Sequence, residues 1–440
     1  MIEKTVSVCP VCLRRIDAGY TARNDKVYFE KTCPEHGFFS EMVWKGIDNF
    51  LKWTANSKPS AELEWGDNCP YDCGICESHR QTTCCVLLEV TERCNLNCPV
   101  CFASAGDKLA VGREPELREI DAWYDMLMEK GGPYNIQLSG GEPALRDDLP
   151  EIIAMGRNKG FTFFQINTNG IRIGNDAGYL KALADSGLNT VFLQFDGLSK
   201  KSSLALRGAD LTDIKMKAIE NCGIAEVGVV LVPTVVKGVN DCEIGNILEF
   251  TAEHMPVVRG VHFQPVSFFG RYKADAQGSG RMSLPELLEA IEEQSDKKLR
   301  AVDFSPSKAE HPLCGFHADY TVKQGQWQLQ NQNSGGDSCC CVSSDQAREA
   351  VARKWSAGAK SGKTEANLTK LNLNSLDDYL REKSESTLAV SGMVFQDAWT
   401  LDLNRLRQCY IHVVERDCRL IPFCAYNLSA KDGTTLYRGK

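Results

Sequence analysis

The sequence predicts an α/β protein whose parallel sheet curls into a partial barrel of six β/α units. Two observations carry that prediction. Six strand-like runs recur at 85–91, 135–143, 161–170, 189–197, 228–236 and 260–268. They are nearly continuous in apolar residues, as strands buried on both faces must be. Between them lie stretches such as IDAWYDMLMEK, LPEIIAMGRNK and GYLKALADSG, whose apolar positions recur at helical spacing. Such alternation sets parallel strands side by side with helices outside. A third observation marks the flanks: twenty cysteines, mostly gathered in clusters before, at the start of and after this alternation.

Bulk composition narrows the functional classes. The 440 residues suffice for a large core and two or three domains. With 43% hydrophobic and 25% charged residues the chain is an ordinary globular one. Its net charge of −8, with no long Lys/Arg block, argues against a nucleic acid as the main partner. There is no 18-residue apolar run, and MIEKTVSVCP lacks the apolar region of an export signal. A cytoplasmic protein without a transmembrane segment is therefore expected, which leaves peripheral membrane contact open. In a reducing compartment, clustered cysteines read as metal ligands rather than as a disulfide framework. The scattered Cys222 and Cys242 read as packed thiols.

Residues 1–65 form a small separate module. CPVC supplies Cys9 and Cys12, KTCPEHG supplies Cys33 and His36, and β-like KVYFEKT lies between. This knuckle resembles rubredoxin or a zinc ribbon, in which a mononuclear Zn or Fe substitutes for an insufficient core. The fourth ligand is either His36 or a more distant cysteine. Residues 66–85 are a Cys-rich bridge in which NCPYDCGICES places Cys69, Cys73 and Cys76 at C-x3-C-x2-C spacing. Cys84 follows eight residues later and closes a four-thiolate set, with Cys85 as the adjacent alternative. A full complement favours a closed auxiliary [4Fe–4S] cluster or a structural metal.

The barrel region, 86–299, opens with the same spacing in a different setting. TERCNLNCPVCFASAG puts Cys94, Cys98 and Cys101 immediately after the first strand, at the end where parallel α/β folds keep their chemistry. Three thiolates leave one iron of a cube free for a substrate or cofactor, and Phe102 stands ready to shield it. Two more loops at strand ends carry Gly and polar groups: SGGEP at 139–143 and NTNG at 167–170. Glycine lets backbone approach a ligand closely, and Glu142 can accept hydrogen bonds from an ammonium. VHFQPVSFFG, 261–270, reads as a buried strand, with a lipid-tunnel wall as the alternative. SLPELLEAIEEQSDKKL opens with a Ser283–Glu286 capping box and predicts a surface helix. The segment 300–440 is less regular and holds Cys314, the triplet Cys339–Cys341, Cys409, Cys418 and Cys424, with a polar helix–linker stretch at 344–374.

C-x3-C-x2-C after the first strand, GGEP after the second, and NTNG and FDG on later strands closely resemble the radical S-adenosylmethionine (SAM) enzymes. The resemblance implies a partial TIM-like barrel in which Cys94, Cys98 and Cys101 hold a [4Fe–4S] cluster whose open iron SAM chelates. Reductive cleavage of SAM then yields a 5′-deoxyadenosyl radical that abstracts hydrogen from an unactivated carbon. It implies that Gly140, Gly141 and Glu142 bind the methionine amino group, and that Asn167, Asn169 and Asp196 contact its carboxylate or the ribose. It also implies a low-potential electron donor of ferredoxin or flavodoxin type.

The cysteine-rich flanks, ending in IHVVERDCRLIPFCAYN, resemble one branch of that superfamily, containing archaeal tetraether lipid synthase and 7,8-dihydro-6-hydroxymethylpterin methyltransferases. Within that branch Cys84, rather than Cys85, matches the cysteine before the first strand. Cys409 and Cys424 match a C-terminal auxiliary-cluster segment, with Cys314 and one or more of the triplet as companions; Cys418 has no place in the pattern. The expected activity is C–C bond formation or alkyl or methyl transfer on a lipid, a pterin or another small molecule. Peptide modification is the rival enzymatic reading. A non-catalytic Fe–S carrier or scaffold is the rival of another class, against which GGEP and the open triad argue.

Overall fold

The computed structural model describes residues 1–55, 68–106, 114–272, 280–307, 309–330, 344–356 and 386–439. The N-terminal module is an antiparallel sheet in the order β1 (Glu3–Val8), β2 (Arg15–Arg23), β3 (Lys26–Cys33) and β4 (Gly37–Lys45). Asn24 and Asp25 take positive φ of 49° and 55° between β2 and β3, as a two-residue hairpin turn of this hand requires. Tyr20, Phe29 and Trp44 bury one face of the sheet against Phe50 of α1 (Ile47–Thr54) and join the main core. Polar contacts pin the module to the C-terminal region. Thr5 Oγ1 and Tyr20 OH donate to Asp402 at 2.6 and 2.8 Å, and buried Lys31 donates to the Ala398 carbonyl at 2.6 Å.

The remaining strands form one large sheet. Its central run is parallel and in chain order: β5 (Cys85–Thr91), β6 (Asn135–Gly140), β7 (Phe164–Thr168), β8 (Thr190–Gln194), β9 (Gly228–Val232), with the short β10 (Thr234–Val235) pairing β11 (Val258–Pro265), which itself follows β9. Each matches one of the six runs expected from the sequence. Helices α2 (Leu117–Glu129), α3 (Leu149–Asn158), α4 (Ile171–Asn175), α5 (Ala177–Asp185), α6 (Lys200–Arg207), α7 (Thr212–Ile224) and α8 (Ile244–Glu253) make the crossovers. They bury apolar stripes such as Ile120, Trp123, Tyr124 and Leu127 on α2. The capping box is present at α9 (Leu284–Gln294), where the Ser283 N–H donates to Glu286 at 2.9 Å.

The C-terminal region contributes regular structure that its sequence did not announce. β12 (Gly315–Lys323), β13 (Gln326–Leu329) and β14 (Thr387–Met393) extend the sheet beyond β11, while β15 (Ile411–Val414) and β16 (Leu420–Pro422) extend it beyond β5. β14 runs parallel to β11 and β15 parallel to β5. Residues 394–410 therefore cross from one end of the curled sheet to the other. Among the described residues no pairing joins β14 to β15, so the barrel is partial and this crossing segment helps close its side. Helix α10 (Ser344–Trp355) lies against the amino ends of the strands. Its Arg348 and Trp355 carbonyls accept from Asn135 Nδ2 at 3.1 Å and Thr190 Oγ1 at 2.9 Å.

One reading of an individual residue changes. Cys222 is packed, but Cys242 is exposed because the turn Asp241–Glu243 carries it outward. VHFQPVSFFG is a buried strand as expected through Pro265: Val261 and Phe263 pack into the core while His262, Gln264 and Pro265 line the lumen, and Val266 and Phe269 continue that lining beyond the strand. The triplet Cys339–Cys341 lies outside the described residues, as does 357–374 of the helix–linker stretch.

Candidate active site

A cavity of about 1380 Å³ fills the barrel lumen. That exceeds the usual range of small-molecule pockets and leaves room for a cofactor and a substrate together. Cys94, Cys98 and Cys101 stand on its wall, in the loop that follows β5. Arg271, just beyond β11, staples this loop. Its backbone pairs with Cys101 in both directions at 2.9 Å, and its guanidinium donates to the Cys98 and Ala105 carbonyls at 2.7 and 2.8 Å. Burial pushes the Cys94 thiol up to about 11 and raises Cys98 as well, the unfavourable state that ligation of a thiolate relieves.

The SGGEP loop is built for close backbone approach. A β-carbon on Gly140 would sit 2.1 Å from the Thr91 carbonyl, and one on Gly141 would sit 2.1 Å from that of Arg93. Only glycines let β6 end against the segment that leads into Cys94. Glu142 is buried and already bonded. It accepts from Ala144 N at 3.0 Å, Thr168 Oγ1 at 2.7 Å and Asn169 N at 2.7 Å, tying the β6 and β7 loops together. Burial raises its pKa, and those three donors act against the rise. With roughly four acceptor positions on a carboxylate, about one remains for a ligand.

Asn169 is likewise engaged, donating to Asn95 at 2.8 Å and accepting from Ile171 N at 3.0 Å. Asn167 is different: among the described residues its buried amide oxygen has no donor, and its nitrogen makes only a 3.5 Å contact with Ser139. Asp196 does not line the cavity. It is 1% exposed and holds Arg207 through bonds of 2.6 and 2.7 Å, accepting also from Thr234 N and Gln194 Nε2 at 3.0 Å each. Desolvation works against its charge, but Arg207 prevails and holds its pKa below the ordinary carboxylate value. Arg207, at the end of α6, is the residue that reaches the cavity and the Cys98 sulfur. Sequence reasoning missed it because a lone arginine in a polar helix carries no signature; the FDG aspartate marked its place indirectly.

Other cysteines separate into three groups. The ligand atoms of Cys9, Cys12, Cys33 and His36 lie within 4.8 Å of one another, so the nearby histidine completes this quartet. Burial drives Cys9 up to about 11. Burial also opposes the Cys33 thiolate, yet hydrogen bonds from His36 and nearby backbone hold it down to about 6. Cys69 and Cys73 are hydrogen-bonded neighbours of Cys76 beside Tyr437. Cys84 opens instead onto the large cavity, and the charges acting on it come from Arg348, Glu310 and Asp345 rather than from that triad. The short link from Cys76 allowed closure in sequence, but Cys84 precedes a lumen strand and faces inward with it. Cys314, Cys409 and Cys424 line one small cavity of about 20 Å³, brought together by β12, β15 and the turn after β16. The turn containing Cys418 lies beside the first triad, where Arg419 donates to Asp72 at 3.1 Å and weakly to the Cys73 carbonyl.

An open three-thiol loop at the carboxyl end of a partial β/α barrel defines a radical SAM enzyme. The family model described as Radical SAM superfamily matches residues 88–251, that of the HMPTM N-terminal zinc ribbon domain matches residues 1–45, and the chain belongs to the radical SAM superfamily. It is 37% identical to the 7,8-dihydro-6-hydroxymethylpterin dimethyltransferase of Methanocaldococcus jannaschii over 97% of this chain and 94% of that protein. Fe-coproporphyrin III synthase of Methanosarcina barkeri is 37% identical over 31% of this chain and 33% of its own length. The structure of Streptococcus suis SuiB bound to S-adenosylmethionine is 17% identical, covers 49% of this chain and 48% of its own, and has a TM-score of 0.41. Membership makes this chain an enzyme with a [4Fe–4S] cluster and SAM as cofactors; its ribbon and cysteine-rich motifs point to further metal sites. The residues present fit those cofactors: three thiols on one loop, an orphaned amide oxygen on Asn167 and a cavity-facing guanidinium on Arg207. No helix among the described residues is long and apolar enough to cross a membrane.

Proposed function

We propose that this enzyme methylates a pterin-type fused nitrogen heterocycle at an unactivated carbon. One observation carries the choice between a pterin and a lipid: a band of amide and imidazole side chains crosses a lumen wall that is otherwise largely apolar. Gln137, Gln165, Asn167, His262 and Gln264 project into it from β6, β7 and β11. The side chains of Gln165 and Gln264 make no hydrogen bond among the described residues, and His262 engages Ser391 at 2.9 Å through Nδ1 while lining the lumen. An alkyl chain would strand these groups at about 1–3 kcal/mol each, whereas a heterocycle edged with N–H, amino and oxo groups pairs with them. The printed name of the full-length relative supports the same substrate class.

Cys94, Cys98 and Cys101 would hold the cluster, and Gly140–Glu142, Asn167 and Arg207 would face SAM. When bound, the pair supplies one-electron chemistry at a C–H position. Arg207 would orient an anionic carboxylate of the cofactor beside the loop, and the Asn167 oxygen would accept a hydrogen bond from it. Phe102, packed on Phe423 at 5.8 Å, shields the loop from water. Asp196 acts by holding Arg207. Cys314, Cys409 and Cys424 would ligate an auxiliary cluster, and a low-potential electron donor would feed the system.

The test is anaerobic reconstitution followed by dithionite, SAM and 7,8-dihydro-6-hydroxymethylpterin. The pterin should stimulate 5′-deoxyadenosine formation, and a deuterium on the pterin carbon should appear in the 5′-deoxyadenosine by mass spectrometry; Cys94→Ala should abolish both. Iron-loaded enzyme that neither responds to the pterin nor modifies it would refute the reading.

A further inference from the structure

Three carboxylates border the large cavity, and two are already committed. Glu142 accepts three hydrogen bonds, and Asp319 is paired with Lys354 at 2.6 Å. Glu310 accepts none among the described residues, although it stands on the wall between the large cavity and the small one lined by Cys314, Cys409 and Cys424. Its nearest opposite charge is spent elsewhere. Arg405 donates to the Leu313 carbonyl at 2.9 Å, the Val394 carbonyl at 3.3 Å and the Cys314 sulfur at 3.6 Å. A half-buried carboxyl group at a cavity wall with no protein donor keeps its acceptor positions for what enters the cavity.

We infer that Glu310 is the specificity-determining residue that reads the two-donor edge of the substrate, the ring N–H and exocyclic amino group of a 2-amino-4-oxopyrimidine. This rests on the pterin reading above. A carboxylate presents two parallel acceptors and matches two parallel N–H groups in bidentate fashion. The lumen amides each offer one donor side and one acceptor side, so none of them matches a donor–donor edge. Position agrees with chemistry. Glu310 acts on Cys84, at the amino end of β5, whereas Cys94 follows its carboxyl end. Holding the pyrimidine edge at Glu310 turns the opposite edge of the bicycle toward the cysteine loop.

The experiment compares two probes on the reconstituted full-length protein by equilibrium dialysis: 6-hydroxymethylpterin and 6-hydroxymethyllumazine. The lumazine carries an oxo acceptor where the pterin carries the amino donor. Wild type should prefer the pterin by about tenfold or more, the loss of one charge-assisted hydrogen bond and the clash of two acceptors. Glu310→Gln, whose amide can donate to the oxo group, should erase or invert that preference, and Glu310→Asp should keep its direction. The preference is a ratio, so a partly misfolded fraction does not move it. Equal binding of both probes by wild type, or an unchanged preference in Glu310→Gln, would overturn the role of Glu310 while leaving the pterin reading intact. Wild type that binds neither probe would overturn the pterin reading, and this inference with it.

Discussion

Replacing Asp196 by Asn probes how the fold aims a cation at the site. Asp196 receives four donors, two of them from Arg207, and neither partner is more than 8% exposed by side chain. Asparagine can keep the bonds from Thr234 and Gln194 on its single oxygen. Its NH2 group then faces Arg207 Nε donor to donor while Nη2 keeps its bond to the oxygen, and Arg207 and the nearby buried Lys215 are left without their shared counter-ion. Breaking a buried ion pair from one side costs about 3–5 kcal/mol. Urea denaturation followed by far-UV circular dichroism should show a loss of that size. SAM binding should weaken by about tenfold or more as the guanidinium loses its fixed direction. The double variant Asp196→Asn/Arg207→Met should recover much of the stability but none of the SAM affinity. A stability loss below about 1 kcal/mol together with unchanged SAM affinity would show that Arg207 holds its place without Asp196.

Cys9→Ala should cost the N-terminal module its metal and its resistance to proteolysis, since three ligands replace four; metal analysis and limited digestion of residues 1–55 check this. Cys94→Ala, by contrast, should leave that metal in place. Stability should also decline in acid. Burial holds His262 down to about 4 and His311 to about 3, against an unfolded value near 6.5. The unfolded chain therefore binds protons first: the contribution is intact above pH of about 6.5 and is lost as pH falls toward 4 for His262 and 3 for His311. For His262 this amounts to about 3 kcal/mol, and His262→Gln should flatten that part of the unfolding free-energy profile.

Local patterns carried far. The six barrel strands, the helices between them and the capping box at Ser283 follow from periodicity and short-range chemistry, which contiguous residues record. The same holds for the placing of Cys94, Cys98 and Cys101 on one loop of eight residues and of Cys9, Cys12 and Cys33 together, while the choice of His36 over a distant cysteine came from the hairpin that brings the two halves together. Long-range partnerships are another matter. That Cys84 turns into the lumen, that Cys314, Cys409 and Cys424 meet, and that residues 394–410 cross the open side depend on which sheet edge each late strand joins. A strand of four residues such as β15 is too short to declare its neighbour in sequence. Asp196 illustrates the division within one residue. FDG marked it as functional, but only packing reveals that its charge is spent on Arg207, because a buried carboxylate is stable only with a partner and that partner sits eleven residues away on another element. The open thiol triad was thus legible from its spacing together with its place after the first strand, while the identity of the groups that surround it, and the band of amides that favours a heterocycle over a lipid, emerged only when six strands set alternate side chains into one lumen.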